Sequence, residues 1–260
     1  MNDPSREKDI MTATPETAAA TPGAAPKSVP SRPPRVARAR AWTVWGALAG
    51  ILGFAGTVLF DHRPASEGEA ADAGIPYVLG PEHMEELSRM PNYLGFLVGF
   101  AAVAAMFVFA AAWKRWVEMR FPESIAARVV SGGLIASAAG LTFAYGWKGA
   151  LANYGFDGPE SGLYEHEGLF VYYMLTDFGA YIPWFGVLVA AAAFAWLAWR
   201  ERLVSRVLGT ISGVYFLLIV VAYVLMGVPG LAGPLSGIWL FIASIWLLVG
   251  RSKVTQKVIA

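Results

Sequence analysis

The chain has three histidines, His62, His83 and His166, and each stands beside a carboxylate. Asp61 precedes His62, Glu82 precedes His83, and Glu165 and Glu167 flank His166. Neutral imidazoles with carboxylate oxygens form a donor set that zinc or copper accepts. His62, His83 and His166 are therefore the candidate metal ligands, and Glu165 and Glu167 join His83 and His166 as candidate functional residues. Their spacing matches neither HExxH nor HxxxH, and polar residues also gather in long loops for no chemical reason. That plainer reading outweighs the metal site, and no cofactor can be named from these residues. Asp177 is a different kind of candidate. It is the only charged residue between Gly168 and Trp199, and an ionisable group at membrane depth is costly and usually functional. Two placements are open. If a helix starts near Leu169, Asp177 is partly inserted and Lys148 or Arg89 is its expected partner. If the helix starts near Tyr181, Asp177 opens it at the lipid–water boundary, where an acid suits the positive helix end. The second placement is the expectation here.

Other chemistries find little support. The sequence contains no GxSxG, Walker A or GxGxxG pattern. It has no cysteine, which excludes disulfides, thiolate metal sites and thiol catalysis. With a net charge of +1, nothing draws the chain to nucleic acid.

The elements that must position these residues are transmembrane helices. The chain is 56% hydrophobic and 15% charged, against about 25% charged in a soluble domain. From Val207 to Gly250 there is no charged side chain, Asn or Gln. That run is about twice the roughly 20 helical residues needed to cross a bilayer, and Gly227–Pro234 breaks it in the middle. It reads as a transmembrane hairpin. Spans are expected at about 41–60, 90–113, 129–147, 178–199, 207–226 and 235–250. The expected class is thus an all-α polytopic membrane protein with six transmembrane helices.

Orientation follows from charge. Of the 20 Lys and Arg, only Arg63, Arg89 and Lys148 fall on the face opposite the termini. The positive-inside rule then makes both termini cytoplasmic in a cell (inner) membrane. Residues 1–40, rich in Ala, Pro and Thr, are expected to be a disordered cytoplasmic tail, and 251–260 a cytoplasmic C-terminal tail. Segments 81–90 and 168–176 are expected to form short helices of an outer cap, with a kink at Pro183. Gly46, Gly50 and Gly53 on the first span, and Gly132, Ala136 and Gly140 on the third, make rows of small residues that permit close helix packing. The expected partner is the lipid bilayer, with a second copy of the chain as the minority use of those faces.

The stretch Asp177-Phe178-Gly179-Ala180-Tyr181-Ile182-Pro183-Trp184, the basic turn Arg200–Arg206 running into Val207-Leu208-Gly209, and Gly230–Pro234 through Ile238-Trp239-Leu240 resemble a group of six-span membrane proteins of high-GC bacteria. The likeness extends to the layout of the chain from about residue 41. The group has no established activity, so the resemblance implies a fold and no catalytic residue. Related members have a His before the Ile-Pro-Trp segment where this chain has Asp177.

The expected role is a non-enzymatic accessory, sensing or interaction protein. The alternatives are a transporter of a small apolar or weakly polar molecule, and a metal-dependent enzyme on the exoplasmic face. Topology is directly testable in this cysteine-free chain. A cysteine placed at Ala70 should react with an impermeant thiol reagent added outside intact cells, and reaction only from the cytoplasmic side would overturn the orientation.

Overall fold

A computed structural model describes residues 40–256. The expected disorder of the N-terminal tail and the last four residues of the C-terminal tail lie outside that range. Among the described residues all regular structure is helical. Helix α1, Thr43–Phe54, runs on into a π turn at Ala55–Leu59. A small helix α2, Ala65–Ala73, and a 3₁₀ turn, Pro81–Glu86, precede α3, Arg89–Trp113, which ends in a second π turn, Lys114–Glu118. Then come α4, Ile125–Tyr154, and α5, His166–Asp177. A 3₁₀ turn, Ile182–Trp184, leads into α6, Phe185–Trp199. Helices α7, Arg206–Met226, and α8, Gly233–Val249, complete the bundle, and a 3₁₀ turn at Lys253–Thr255 follows.

Among the described residues, four helical stretches are long and apolar enough to cross a membrane: Arg89–Glu118, Ile125–Tyr154, His166–Trp199 and Arg206–Met226. Two shorter apolar helices, Thr43–Leu59 and Gly233–Val249, occupy the positions of the first and last expected spans. Their ends follow local chemistry. Ser124 caps α4 by accepting from the Ala127 N–H at 3.0 Å, and Ser205 caps α7 from Leu208 at 3.3 Å. Gly227 closes α7 in the left-handed region (φ 68°), which ends the helix where the Gly/Pro run predicts.

The cap differs from expectation in detail. The 168–176 segment is helical but begins earlier, at His166, and the 81–90 segment divides into the 3₁₀ turn and the start of α3. Helix α2 was not expected. It buries no residue, so no apolar period marks it. Its Ala and Glu content supplies intrinsic propensity instead.

Helix α1 packs between α3 and α8, α4 joins α3 to α6, and α6 carries α7. Trp42 stacks on Phe109 at 5.6 Å between ring centroids, and Trp113 meets Phe194 at 5.1 Å. These rings, with Leu134, Leu188 and Leu197, lie in one buried core. The expected α7–α8 hairpin is joined mainly through side chains: Tyr215 stacks on Trp239, whose indole N–H donates to Ser212 at 3.1 Å. The opposite side of α7 exposes Val214, Leu217, Leu218, Val221 and Val224, as a lipid-facing surface should.

Small residues set the closest crossings. A Cβ on Gly50 would lie 2.5 Å from the Gly237 carbonyl oxygen, and one on Gly133 would lie 2.3 Å from that of Gly186. The α1 row is therefore used inside the bundle. On α4 the packed row is Gly133, Ser137 and Gly140, one position away from the expected one. Gly132 has open space around it and Ala136 is exposed, while Gly140 touches Pro183. Gly50→Ala should cost about 1–3 kcal/mol through overpacking, whereas Gly132→Ala should not destabilise. Unfolding in detergent measures both, and equal stability of the two variants would refute this account of the α1–α8 crossing.

Candidate functional site

Between α5 and α6 the chain leaves regular helix from Phe178 to Tyr181 and resumes through Ile182–Trp184. Pro183 has no N–H to give, so the expected kink becomes a break. Backbone groups freed in an apolar setting must find partners. Three hydroxyls from three helices supply them. Thr57 donates to the Ala180 carbonyl at 3.3 Å. Ser236 of α8 reaches the Trp184 carbonyl at 3.5 Å. Ser137 of α4 donates to the Pro183 carbonyl at 2.6 Å and accepts from the Val187 N–H at 2.9 Å. Residues 183 and 187 are an i, i+4 pair, so the Ser137 hydroxyl is inserted where one rung of the helix would be. The contact depends on glycine: a Cβ on Gly186 would lie 2.6 Å from that hydroxyl.

Thr57 is also the centre of a buried polar cluster. It accepts from the Trp184 indole N–H at 3.0 Å and shares a 2.8 Å hydrogen bond with the Tyr145 hydroxyl. With the Thr57 proton on the Ala180 carbonyl, the single Tyr145 O–H is shared between Thr57 and the Gly53 carbonyl, which lies 3.2 Å away. Trp184 and Tyr145 are both fully buried.

One turn along α4 is Lys148, only 1% exposed. Its ammonium donates to the carbonyls of Gly56 and Phe60 at 3.0 and 2.9 Å. The π turn makes this possible. In an α-helix the Gly56 carbonyl would accept from the N–H of residue 60. Here the Phe60 N–H bonds to the Ala55 carbonyl at 3.0 Å, one residue further back, and Gly56 is left free. The lysine stem crosses α3 at Gly95, where a Cβ would lie 3.2 Å from its Cδ. Lys148 is thus part of α4 and the bundle, not the first residue of an outer loop.

Above it, Arg63 gathers three carboxylates. Its guanidinium lies 2.8 Å from Glu67, 3.0 Å from Asp177 and 3.4 Å from Asp61. Partial burial works against its charge, but the hydrogen bond to Glu67 and the fields of Asp61, Glu67 and Asp177 outweigh it and raise the guanidinium's pKa. Tyr181 donates to Asp61 at 2.8 Å. Asp177 is the last residue of α5, not the first residue of a helix, because α5 starts at His166. Its charge therefore meets the negative end of the helix dipole, and Arg63, rather than Lys148 or Arg89, offsets it. Arg89 instead donates to the Ala152 carbonyl at 3.2 Å.

The histidines do not converge. His62 Nε2 accepts from the Ser88 N–H at 3.1 Å, and His83 Nδ1 from the Gly80 N–H at 3.1 Å. His166 Nε2 lies 2.8 Å from Glu85. Glu165 precedes α5 and Glu167 stands in its first turn, where acids suit the positive helix end. Nearby, Glu86 accepts from the Ser66 backbone N–H and hydroxyl, which hold its pKa below the ordinary carboxylate value. Among the described residues no three His, Asp or Glu side chains are grouped as a metal would need. The site residues that the sequence reading did not single out are Thr57, Ser137, Ser236, Tyr145 and Arg63; Lys148 enters it only as a partner for Asp177. The one available signal was Pro183: a proline inside an apolar run frees backbone groups, and Ser or Thr on neighbouring spans are natural partners.

Comparison with protein-family models, curated proteins and solved structures finds no match to this chain. The internal chemistry can be tested alone. Ser137→Ala removes the partner of two buried backbone groups and should cost about 1–3 kcal/mol. Thr142→Ala removes a hydroxyl that only bonds back to its own helix at Ala138 and should be near neutral. Denaturant unfolding in detergent compares them, and a Ser137→Ala protein as stable as Thr142→Ala would show that the inserted hydroxyl contributes nothing.

Proposed function

We propose that the chain is a six-span protein of the cell (inner) membrane with both termini cytoplasmic, and that it acts without catalysis as an accessory, sensing or interaction protein. The span count is supported by the six apolar helical stretches, and the orientation by the Lys and Arg distribution. One observation carries the functional reading. Arg63 ties Glu67 of α2 and Asp177 of α5 to Asp61, next to the end of α1. Arg63, Asp61, Glu67 and Asp177 are engaged in holding a cap against the bundle rather than presented to a substrate. A guanidinium shared among three carboxylates is also an element that an approaching ion or protein segment can compete for, which suits sensing or docking.

A second reading, the transporter, has its own support. The broken α5–α6 stretch faces the π-turned end of α1, with Lys148 buried alongside. Discontinuous helices around a buried charge are how many secondary carriers form their sites. The metal-dependent enzyme draws no comparable support from three histidines held by three different partners.

Arg63→Gln should free the cap while leaving the bundle folded. Each partly exposed ion pair contributes only about 0.2–1 kcal/mol, so global stability should fall little. Hydrogen exchange in α2 and α5 should rise sharply, and unchanged exchange there would remove the latch. Solute flux into proteoliposomes that disappears in Lys148→Met would favour the carrier instead.

A further inference from the structure

At the end of α3 the π turn Lys114–Glu118 places two cations, Lys114 and Arg115, beside Arg128 on the first turns of α4. Together with Ala111, Met119 and the acid Glu118 they line a groove of about 630 Å³. Arg128 is held across the α3–α4 turn, where its guanidinium donates to the Pro122 carbonyl. Arg115 lies over the Trp116 ring, 5.6 Å from its centroid. Met119 is 78% exposed. The three cations exceed the single acid, and one oxygen of that acid is buried. The groove therefore presents a net positive face, with apolar atoms on the side toward the bundle and an exposed tryptophan beside it. Tryptophan is the side chain that settles at headgroup level.

We propose that this groove is a binding site for the headgroup of an anionic phospholipid, its phosphate held by Lys114, Arg115 and Arg128 and its acyl chains lying along the α3 surface past Ala111. A basic depression at the cytoplasmic ends of membrane helices is the form such sites take. A soluble phosphate has no use for the apolar side of the groove, and a zwitterionic lipid leaves its positive charge uncompensated. The proposal rests on the six-span reading, which puts this end of the bundle at the inner headgroup level.

The test uses the full chain purified in detergent. Binding of phosphatidylglycerol and of phosphatidylcholine is followed by native mass spectrometry, and each lipid's effect on the melting temperature is recorded, since a ligand of the folded state raises it. Phosphatidylglycerol should bind and stabilise, and phosphatidylcholine should not. The double variant Lys114→Gln with Arg115→Gln should bind phosphatidylglycerol roughly thirtyfold more weakly, from the usual contribution of two cations near a lipid surface. The control Arg200→Gln with Arg202→Gln removes the same charge outside the groove and should bind as the parent does. Equal binding of the two lipids overturns the site, and so does equal weakening in both double variants, which would indicate a diffuse basic surface. These outcomes are read in detergent, so they do not depend on orientation. A cysteine at residue 70 that labels only from the cytoplasm overturns the topology and leaves the lipid measurement standing.

Discussion

A helix that breaks inside an apolar bundle leaves carbonyl and N–H groups that neither water nor lipid can satisfy. The rest of this fold is arranged around that constraint. The break at Phe178–Trp184 is stitched by hydroxyls from α1, α4 and α8. Each hydroxyl can arrive only if its helix runs close, and glycine permits the approach at Gly133 and Gly186 and at Gly50 and Gly237. Backbone satisfaction and small-residue packing are therefore one requirement seen from two sides. Leaving the Ala180 or Pro183 carbonyl unpaired would cost more than an ordinary hydrogen bond contributes.

The π turn of α1 belongs to the same arrangement. It brings Thr57 to the Trp184 indole and the Ala180 carbonyl, and it frees the Gly56 carbonyl that accepts from Lys148. Its outer end leads directly to Asp61 and Arg63, which meet Tyr181 and Asp177 on the far side of the break. One irregular turn thus joins three layers: a neutral hydroxyl cluster, a cation on backbone carbonyls, and an exposed ion-pair hub. A regular α-helix over residues 55–59 would misplace all three.

The fold class was legible because it rests on long-range regularities. Uncharged stretches of bilayer length and the Gly/Pro break after Met226 are features a single sequence displays. The break at Pro183 was legible as a kink but not as a break, because its partners lie on helices distant in sequence. Asp177 shows the limit. Its isolation among apolar residues marks it as a position needing explanation, yet which end of a helix it occupies depends on where α5 begins, and the apolar pattern from Leu169 to Leu175 does not set that boundary. The histidines pose the opposite problem. Adjacent carboxylates in sequence suggest a donor set, but each ring is taken by a separate partner: a backbone N–H for His62 and His83, and Glu85 for His166. Lys148 falls just past the expected 129–147 span because a lone charge ends an apolar run, and the carbonyls of Gly56 and Phe60 are what make its burial tolerable.

The contact of α1 with α8 bears on how the protein is made. Among the described helices, the first to leave the ribosome has its glycine face closed by the last one, and chains emerge at about 5–20 residues per second. For the interval in which α3 to α7 are synthesised, Gly50 faces lipid or a transient companion. The Ser236 contact to the break is likewise absent until the end. The described bundle is therefore complete only once α8 docks on α1, and a chain that stops before α8 has the ion-pair residues Asp61, Arg63, Glu67 and Asp177 in place around a junction that is still open on one side.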